Sequence, residues 1–198
     1  MGLTLTYDPG QTPLDEDEKE GLLIPSVATR GELDEFEQQN IEEAIQWSLA
    51  RKFKPERIFT EAFVKEVHKR MYGNVWAWAG EFRKTNKNIG VDKWEIAAEL
   101  KILLDDAVYW VDNKTFPPDE LAVRFKHRIV SIHCFPNGNG RHSRLMADII
   151  ADKIYGRPVF SWGAGDPPGH GDTRATYLKA LKAADRGDYG LLLAFARS

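Results

Sequence analysis

Leu121, Phe125, Ile129 and Ile132 recur at helical spacing, and so do Leu145, Ile149 and Ile150. Between these stripes the chain reads His133-Cys134-Phe135-Pro136-Asn137-Gly138-Asn139-Gly140. An apolar stripe of helical period has to be buried against another element. Two stripes joined by one short break therefore demand a helix–loop–helix at the centre of a helical core. The first helix starts at Pro117-Pro118-Asp119-Glu120, where proline loses no hydrogen bond and acids suit the positive helix end.

The rest of the chain supports the same class. Thr29-Arg30-Gly31-Glu32 is a capping box, and Leu33, Phe36, Ile41, Ala44, Ile45 and Leu49 follow it at helical spacing, which predicts a helix at about 32–52. Phe59, Phe63, Val67 and Met71 predict a helix at about 57–72, with His68 as a surface or half-buried residue. Ala97, Leu100, Leu104 and Val108 mark another between Trp94 and Val111. Two short helices should close the chain through Tyr177, Leu181, Leu192 and Phe195, after a loop at 163–171 and a cap at Asp172-Thr173. Glycines at 73, 80 and 90 interrupt the helical pattern, and a β-hairpin at about 81–92 is expected there, with Trp76 and Trp78 anchoring its base. The expected fold is an all-α bundle with one small hairpin. Residues 1–56 read as an N-terminal arm and helix, and 57–198 as the principal domain. The acidic run Asp15–Glu20 reads as part of a solvated, extended arm spanning 1–28.

Composition narrows the function classes. Of 198 residues, 42% are hydrophobic and 29% charged, a soluble globular balance, and the net charge of -3 gives no reason to expect nucleic acid or a membrane surface. One cysteine, Cys134, rules out an intrachain disulfide and fits a reducing cytoplasm. The N-terminus has no long apolar run. Met1-Gly2-Leu3-Thr4-Leu5-Thr6 fits a myristoylation pattern but lacks a following polybasic patch, and Asn113-Lys114-Thr115 is a sequon that matters only in a secreted chain.

The chemistry concentrates in His133–Arg144. Glycines let a backbone approach an anion closely, and free amides at a helix N-terminus point towards it. Arg141 and Arg144, about one turn apart, can add their guanidinium groups to the same anion. A histidine at the loop entrance titrates near neutrality, as a general base should. The segment reads as a phosphate cradle with a base beside it.

This segment resembles the signature of the Fic (Fic/Doc, Fido-fold) family: His-x-Phe, an acidic residue, Gly-Asn-Gly-Arg, two free positions and a final Arg. His133, Phe135, Gly138, Asn139, Gly140, Arg141 and Arg144 match it. Trp78-Ala79-Gly80-Glu81-Phe82-Arg83 is similar to the segment entering the family's flap hairpin, and Arg174, Tyr177, Leu181, Ala184-Asp185 and Gly187-Asp188 to its C-terminal helices, so the likeness spans about 57–197. The first fifty-odd residues, including Thr29–Leu33, resemble the subgroup called mobile mystery protein B.

The resemblance implies a Fic-type helical bundle that transfers AMP from ATP to a Ser, Thr or Tyr hydroxyl of a target protein. His133 would take the hydroxyl proton. Asn139 and the amides of Gly138 and Gly140 would bind α- and β-phosphate oxygens, and Arg141 and Arg144 the β- and γ-phosphates. Mg²⁺ would bridge the phosphates, with Asn137 as a ligand. Phe82, Arg83, Lys84 and Thr85 would form the target-binding flap, which would add a strand to the target. A regulatory, antitoxin-like partner is also implied.

Asn137 departs from the family pattern. It stands where the signature has an acid, so the loop offers a metal no charge of its own. The family's inhibitory pattern, Ser or Thr, three free positions, then Glu-Gly or Glu-Asn, is absent: Thr29 is followed at the required place by Leu33, and Ser26 by Arg30. The acidic helix from Glu32 to Glu43 is the remaining candidate to obstruct Arg144. Two other readings compete with AMP transfer. One is transfer of UMP or phosphate, although the full Gly-Asn-Gly-Arg and Arg144 argue against γ-phosphate. The other is a weakly catalytic nucleotide-binding module.

Overall fold

A computed structural model describes residues 13–164 and 173–198. The myristoylation pattern and most of the 163–171 loop, with the Asp172 cap, lie outside the described residues. The helices are α1 (Glu16–Lys19), α2 (Arg30–Ala50), α3 (Pro55–Ile58), α4 (Glu61–Tyr72), α5 (Ile96–Asp112), α6 (Pro118–Ile132), α7 (Asn139–Tyr155), α8 (Thr173–Ala184) and α9 (Gly190–Arg197).

The pair α6 and α7 forms the centre. Leu121, Phe125, Ile129 and Ile132 are buried on α6, and Leu145, Ile149 and Ile150 on α7. Helix α6 begins with Pro118 in its first turn beside Asp119 and Glu120, as its sequence requires. Asp119 also binds Arg197 at 2.6 Å, which fastens the end of α9 to the start of α6.

Helix α2 begins at the expected capping box: Thr29 Oγ1 accepts the Glu32 amide at 3.3 Å, and the Glu32 carboxylate accepts the Thr29 amide at 3.0 Å. Its inward face is only partly the expected one. Leu33, Ile41 and Ala44 are buried, but Phe36, Ile45 and Leu49 are exposed, and Glu37, Asn40 and Ser48 point inward. A buried polar group is tolerated where it is bonded. Asn40 Nδ2 donates to the Phe36 carbonyl at 3.0 Å, and Ser48 to that of Ile45 at 2.7 Å. Glu37 has two partners near the loop described below.

The helix expected at 57–72 is interrupted. Thr60 caps α4 by accepting the Phe63 amide at 3.1 Å, and α3 stops before it. His68, expected at or near the surface, is fully buried.

No strand forms at 81–92, so the hairpin expectation is corrected; among the described residues the sole β-pairing outside helices is an isolated bridge between Leu22 and Trp76. The loop is closed by side chains instead of a ladder. Arg83 donates to the carbonyls of Thr85 and Val91, Asn86 Nδ2 binds Asp92 at 2.8 Å, and the Lys93 amide binds Asn86 Oδ1 at 2.8 Å. These bonds fold the backbone back within a few residues and leave no paired extended run. Trp76 is buried and stacks on the half-buried Trp78 at 5.0 Å, but there is no hairpin for them to anchor.

The described part of the N-terminal arm is docked rather than extended, although Asp15, Glu16, Asp17 and Glu20 stay exposed. The Leu23 amide donates to Val75 and the Ala77 amide to Gly21, both at 2.8 Å. Lys87 binds Asp15 at 2.8 Å and Glu18 at 2.6 Å. The acidic run finds its cation far along the chain, in the 82–93 loop.

Candidate functional site

Helix α6 ends on His133, whose φ of 58° and ψ of 61° are left-handed. Non-glycine residues occupy this region at a cost, so neighbours must hold it. Gly138, with φ 75°, then starts α7. A Cβ there would stand 2.5 Å from the Tyr72 ring, so the turn admits glycine alone without repacking. Asn139 closes the loop: its Oδ1 accepts the Phe135 amide at 3.0 Å and its Nδ2 donates to the Phe135 carbonyl at 2.8 Å. The Asn139 side chain thus serves the loop, while its amide stays in the first turn of α7.

His68 is the residue that sequence reasoning missed most plainly. Its ring stacks on Phe135 at 3.8 Å. Nδ1 accepts the Gly80 amide at 3.0 Å, and Nε2 donates to the Asn137 carbonyl at 3.1 Å. Burial holds its pKa well below the ordinary histidine value, so it is a neutral strut under the loop.

His133, Asn137, Gly138, Asn139, Gly140, Arg141 and Arg144 line one cavity of about 690 Å³. That volume is in the range of small-ligand sites. Its other walls include Ile89, Trp162, Tyr177 and Phe195. The first amides of α7 have no intrahelical acceptor and favour an anion there. The His133 pKa is lowered to about 4, first by burial and then by the charges of Arg83 and Lys87, and its imidazole is bonded to the Val130 carbonyl. At neutral pH the ring is uncharged and able to accept a proton.

The two arginines are held differently. Arg141 pairs with Glu37 at 2.6 Å and lies over the Tyr72 ring at 5.3 Å. Glu37 also accepts from Trp76 Nε1 at 2.8 Å. The acidic helix does reach the cradle, then, but at Arg141 and not at Arg144. The signal for this was an acid on the inward line of α2, one turn after Leu33. Arg144 lies over Tyr177 at 4.7 Å, Trp162 at 5.8 Å and Phe195 at 5.9 Å. Trp162 is fixed by Asp148, which accepts from its Nε1 at 3.1 Å and from the Phe160 amide at 3.0 Å. Burial raises the Asp148 pKa to about 7 despite these bonds.

The four flap residues separate. Arg83 is buried, 3% exposed. Phe82 is half-buried under the Lys65 ammonium, 4.2 Å from its centroid, and Lys84 is exposed. Thr85 donates to Asp15 at 2.6 Å.

Asn137 fits a metal poorly. Its Oδ1 accepts the Gly138 amide at 2.6 Å and its carbonyl is taken by His68. Among the described residues no cluster of three or more His, Cys, Asp or Glu could hold a metal ion. Cys134 is buried and its thiol is pushed up to about 12, which excludes it as a nucleophile near neutral pH.

Residues 58–151 match the model of the Fic/DOC family. A curated relative, "Protein adenylyltransferase Fic" of Aedes aegypti, is 30% identical over 131 residues, covering 63% of this chain and 24% of its own length. "Protein adenylyltransferase fic-1" of Caenorhabditis elegans is 30% identical over 133 residues, with 63% and 24% covered. The chain thus spans about a quarter of these relatives. Among solved structures, a Fic-1 fragment from C. elegans superposes with a TM-score of 0.68 at 24% identity, covering 90% of this chain and 51% of that one. BepC of Bartonella tribocorum, with bound AMPPNP, gives 0.68 at 15% identity, covering 92% and 97%. These likenesses establish the fold.

Proposed function

We propose that this chain, whose residues 58–151 match the Fic/DOC family model, is a protein adenylyltransferase that moves AMP from ATP to a hydroxyl of a target protein. The observation that carries the reading is the cavity in which a neutral His133 faces the α7 N-terminus, Arg141 and Arg144. The target oxygen attacks the α-phosphorus, the bond to pyrophosphate breaks, and the hydroxyl proton passes to the imidazole. The α7 amides and Arg144 stabilise charge on the phosphates. ATP is the reading for the substrate because the curated relatives are named adenylyltransferases. Lys84 and Ile89, exposed on the loop beside His133, are the surface offered to the target. Thr29–Leu33 and α2 support the mobile mystery protein B subgroup and an N-terminal regulatory unit. No helix among the described residues is long and apolar enough to cross a membrane, and the proposed site of action is the cytoplasm.

Incubation with ATP labelled at the α or the γ phosphate tests the proposal. α-label on protein supports AMP transfer, and γ-label supports phosphate transfer. ATP binding without label supports a nucleotide-binding module that answers to a regulatory or antitoxin-like partner; the neutral Asn137 and the occupied Arg141 are what favour that second reading.

Two outcomes follow for the substrate end of the cavity. Glu37→Gln keeps an acceptor for Trp76 but removes the charge held against Arg141. Transfer and ATP affinity should both rise several-fold, less than the full worth of one charge-assisted bond because Arg141 is partly open to solvent; unchanged values would show that Glu37 does not compete with phosphate. Asn137→Asp leaves one carboxylate oxygen for the Gly138 amide and offers the other, with the charge that Mg²⁺ prefers, in nearly the same volume. The Mg²⁺ concentration for half-maximal transfer should fall, and ATP binding in chelator should weaken. An unaltered Mg²⁺ dependence would mean that this position does not face the metal.

A further inference from the structure

We infer that Arg83 is a positioning residue for His133: its buried guanidinium holds the end of α6 in the backbone conformation that turns the imidazole into the cavity. The inference rests on the reading of His133 as the base. It replaces the target-binding role that the flap resemblance implies for Arg83.

A helix end leaves its last carbonyls without intrahelical partners. Here the carbonyls of Ile132, His133 and Cys134 each receive a donor from one loop. The Val91 amide donates to Ile132 at 3.3 Å, the Arg83 amide to Cys134 at 2.9 Å, and Arg83 Nε to His133 at 2.6 Å. The same guanidinium spans the loop, with Nη1 donating to Thr85 at 2.8 Å and Nη2 to the Val91 carbonyl. One side chain therefore binds the backbone of the base and both arms of the loop beside it. Only a planar fork with five donors can do this, and lysine cannot.

Gly90 gives independent support. Its φ is 99°, and a Cβ there would lie 2.6 Å from His133 Cβ and 3.0 Å from Arg83 Nη2. The loop is seated against the base with no room for a methyl group. The Asn139 and His68 contacts that hold the phosphate end of the loop do not involve Arg83. Positioning of the base and binding of the nucleotide are therefore separable.

The test uses the full chain with Arg83→Met, Arg83→Lys, Gly90→Ala and His133→Ala, each checked by thermal melting. The rate of self-labelling from α-labelled ATP should fall roughly 10²-fold in Arg83→Met and Gly90→Ala, the loss a misplaced group produces. ATP affinity should stay at the wild-type value. The His133 imidazole, titrated by NMR without nucleotide, needs no turnover. The charges acting on it are those of Arg83 and Lys87. Its pKa should rise in Arg83→Met and stay low in Arg83→Lys, which keeps the charge but not the fork. A wild-type rate in Arg83→Met, an equal loss of ATP binding and rate, or an unmoved imidazole titration would each overturn the inference. If Arg83→Met does not fold, Gly90→Ala decides: wild-type labelling there overturns it. His133→Ala separates the two claims. If that variant still labels, the base reading fails. If it is inactive while Arg83→Met is active, the positioning role alone fails.

Discussion

Replacing His133 by alanine should cut transfer of α-label by at least ~10²-fold while leaving ATP bound, because a positioned base is worth roughly that much. The ring lines the cavity at the end of α6, whereas the proposed phosphate cradle is the start of α7. Nothing in the cradle needs the imidazole: Asn139 and Phe135 close the loop between themselves, and His68 supports it from below. Nucleotide binding should therefore survive. The wild-type base should also work across the neutral range. Its folded pKa of about 4 lies below the ordinary 6.5, so the ring is uncharged at neutral pH and the acidic limb of the rate profile should begin below that of a free imidazole. Bound polyphosphate would raise this pKa by its negative charge. Filter binding of labelled ATP and gel detection of labelled protein, measured on the same preparation, check both parts. Transfer at the wild-type rate by the alanine variant would remove His133 from the chemistry.

Arg144→Ala should weaken ATP far more than AMP. A hydrogen bond to a charged group is worth about 1.5–3 kcal/mol, which corresponds to roughly 10- to 100-fold in Kd. AMP lacks the distal phosphates that Arg144 is proposed to hold. Tyr177, Trp162 and Phe195 fix the guanidinium from the side. Behind Tyr177, the buried Lys126 donates to the tyrosine hydroxyl. Burial first, and then the Arg144 charge, hold the Lys126 pKa well below the ordinary lysine value. Removing Arg144 should relieve that repulsion and leave the fold intact, which a melting curve will show. Calorimetric titration with both nucleotides is the measurement. Equal losses for ATP and AMP would make Arg144 a packing residue for the aromatic wall.

Local chemistry made the centre of this protein legible. Capping boxes and first-turn prolines act over three or four residues, so the starts of α2 and α6 could be read directly. The stretch His133–Arg144 is likewise contiguous, and seven of its residues, His133, Asn137, Gly138, Asn139, Gly140, Arg141 and Arg144, line one cavity. What the sequence could not supply were contacts between distant positions. Arg83 reads as an exposed flap residue until the carbonyl of His133, 50 positions away, turns it inward. His68 reads as a surface or half-buried residue until the Asn137 carbonyl, 69 positions away, bonds it. Glu37 reads as one acid among several until Arg141, 104 positions away, selects it. The hairpin failed for the same reason: a short segment between glycines forms a strand only where a partner backbone is offered, and here Arg83 satisfies the carbonyls of Thr85 and Val91 first. Periodicity and caps are properties of neighbouring residues, and they placed the main helices and the loop between α6 and α7. Which side chains hold that loop, and which charge competes for it, depended on packing that brings remote segments within hydrogen-bond reach.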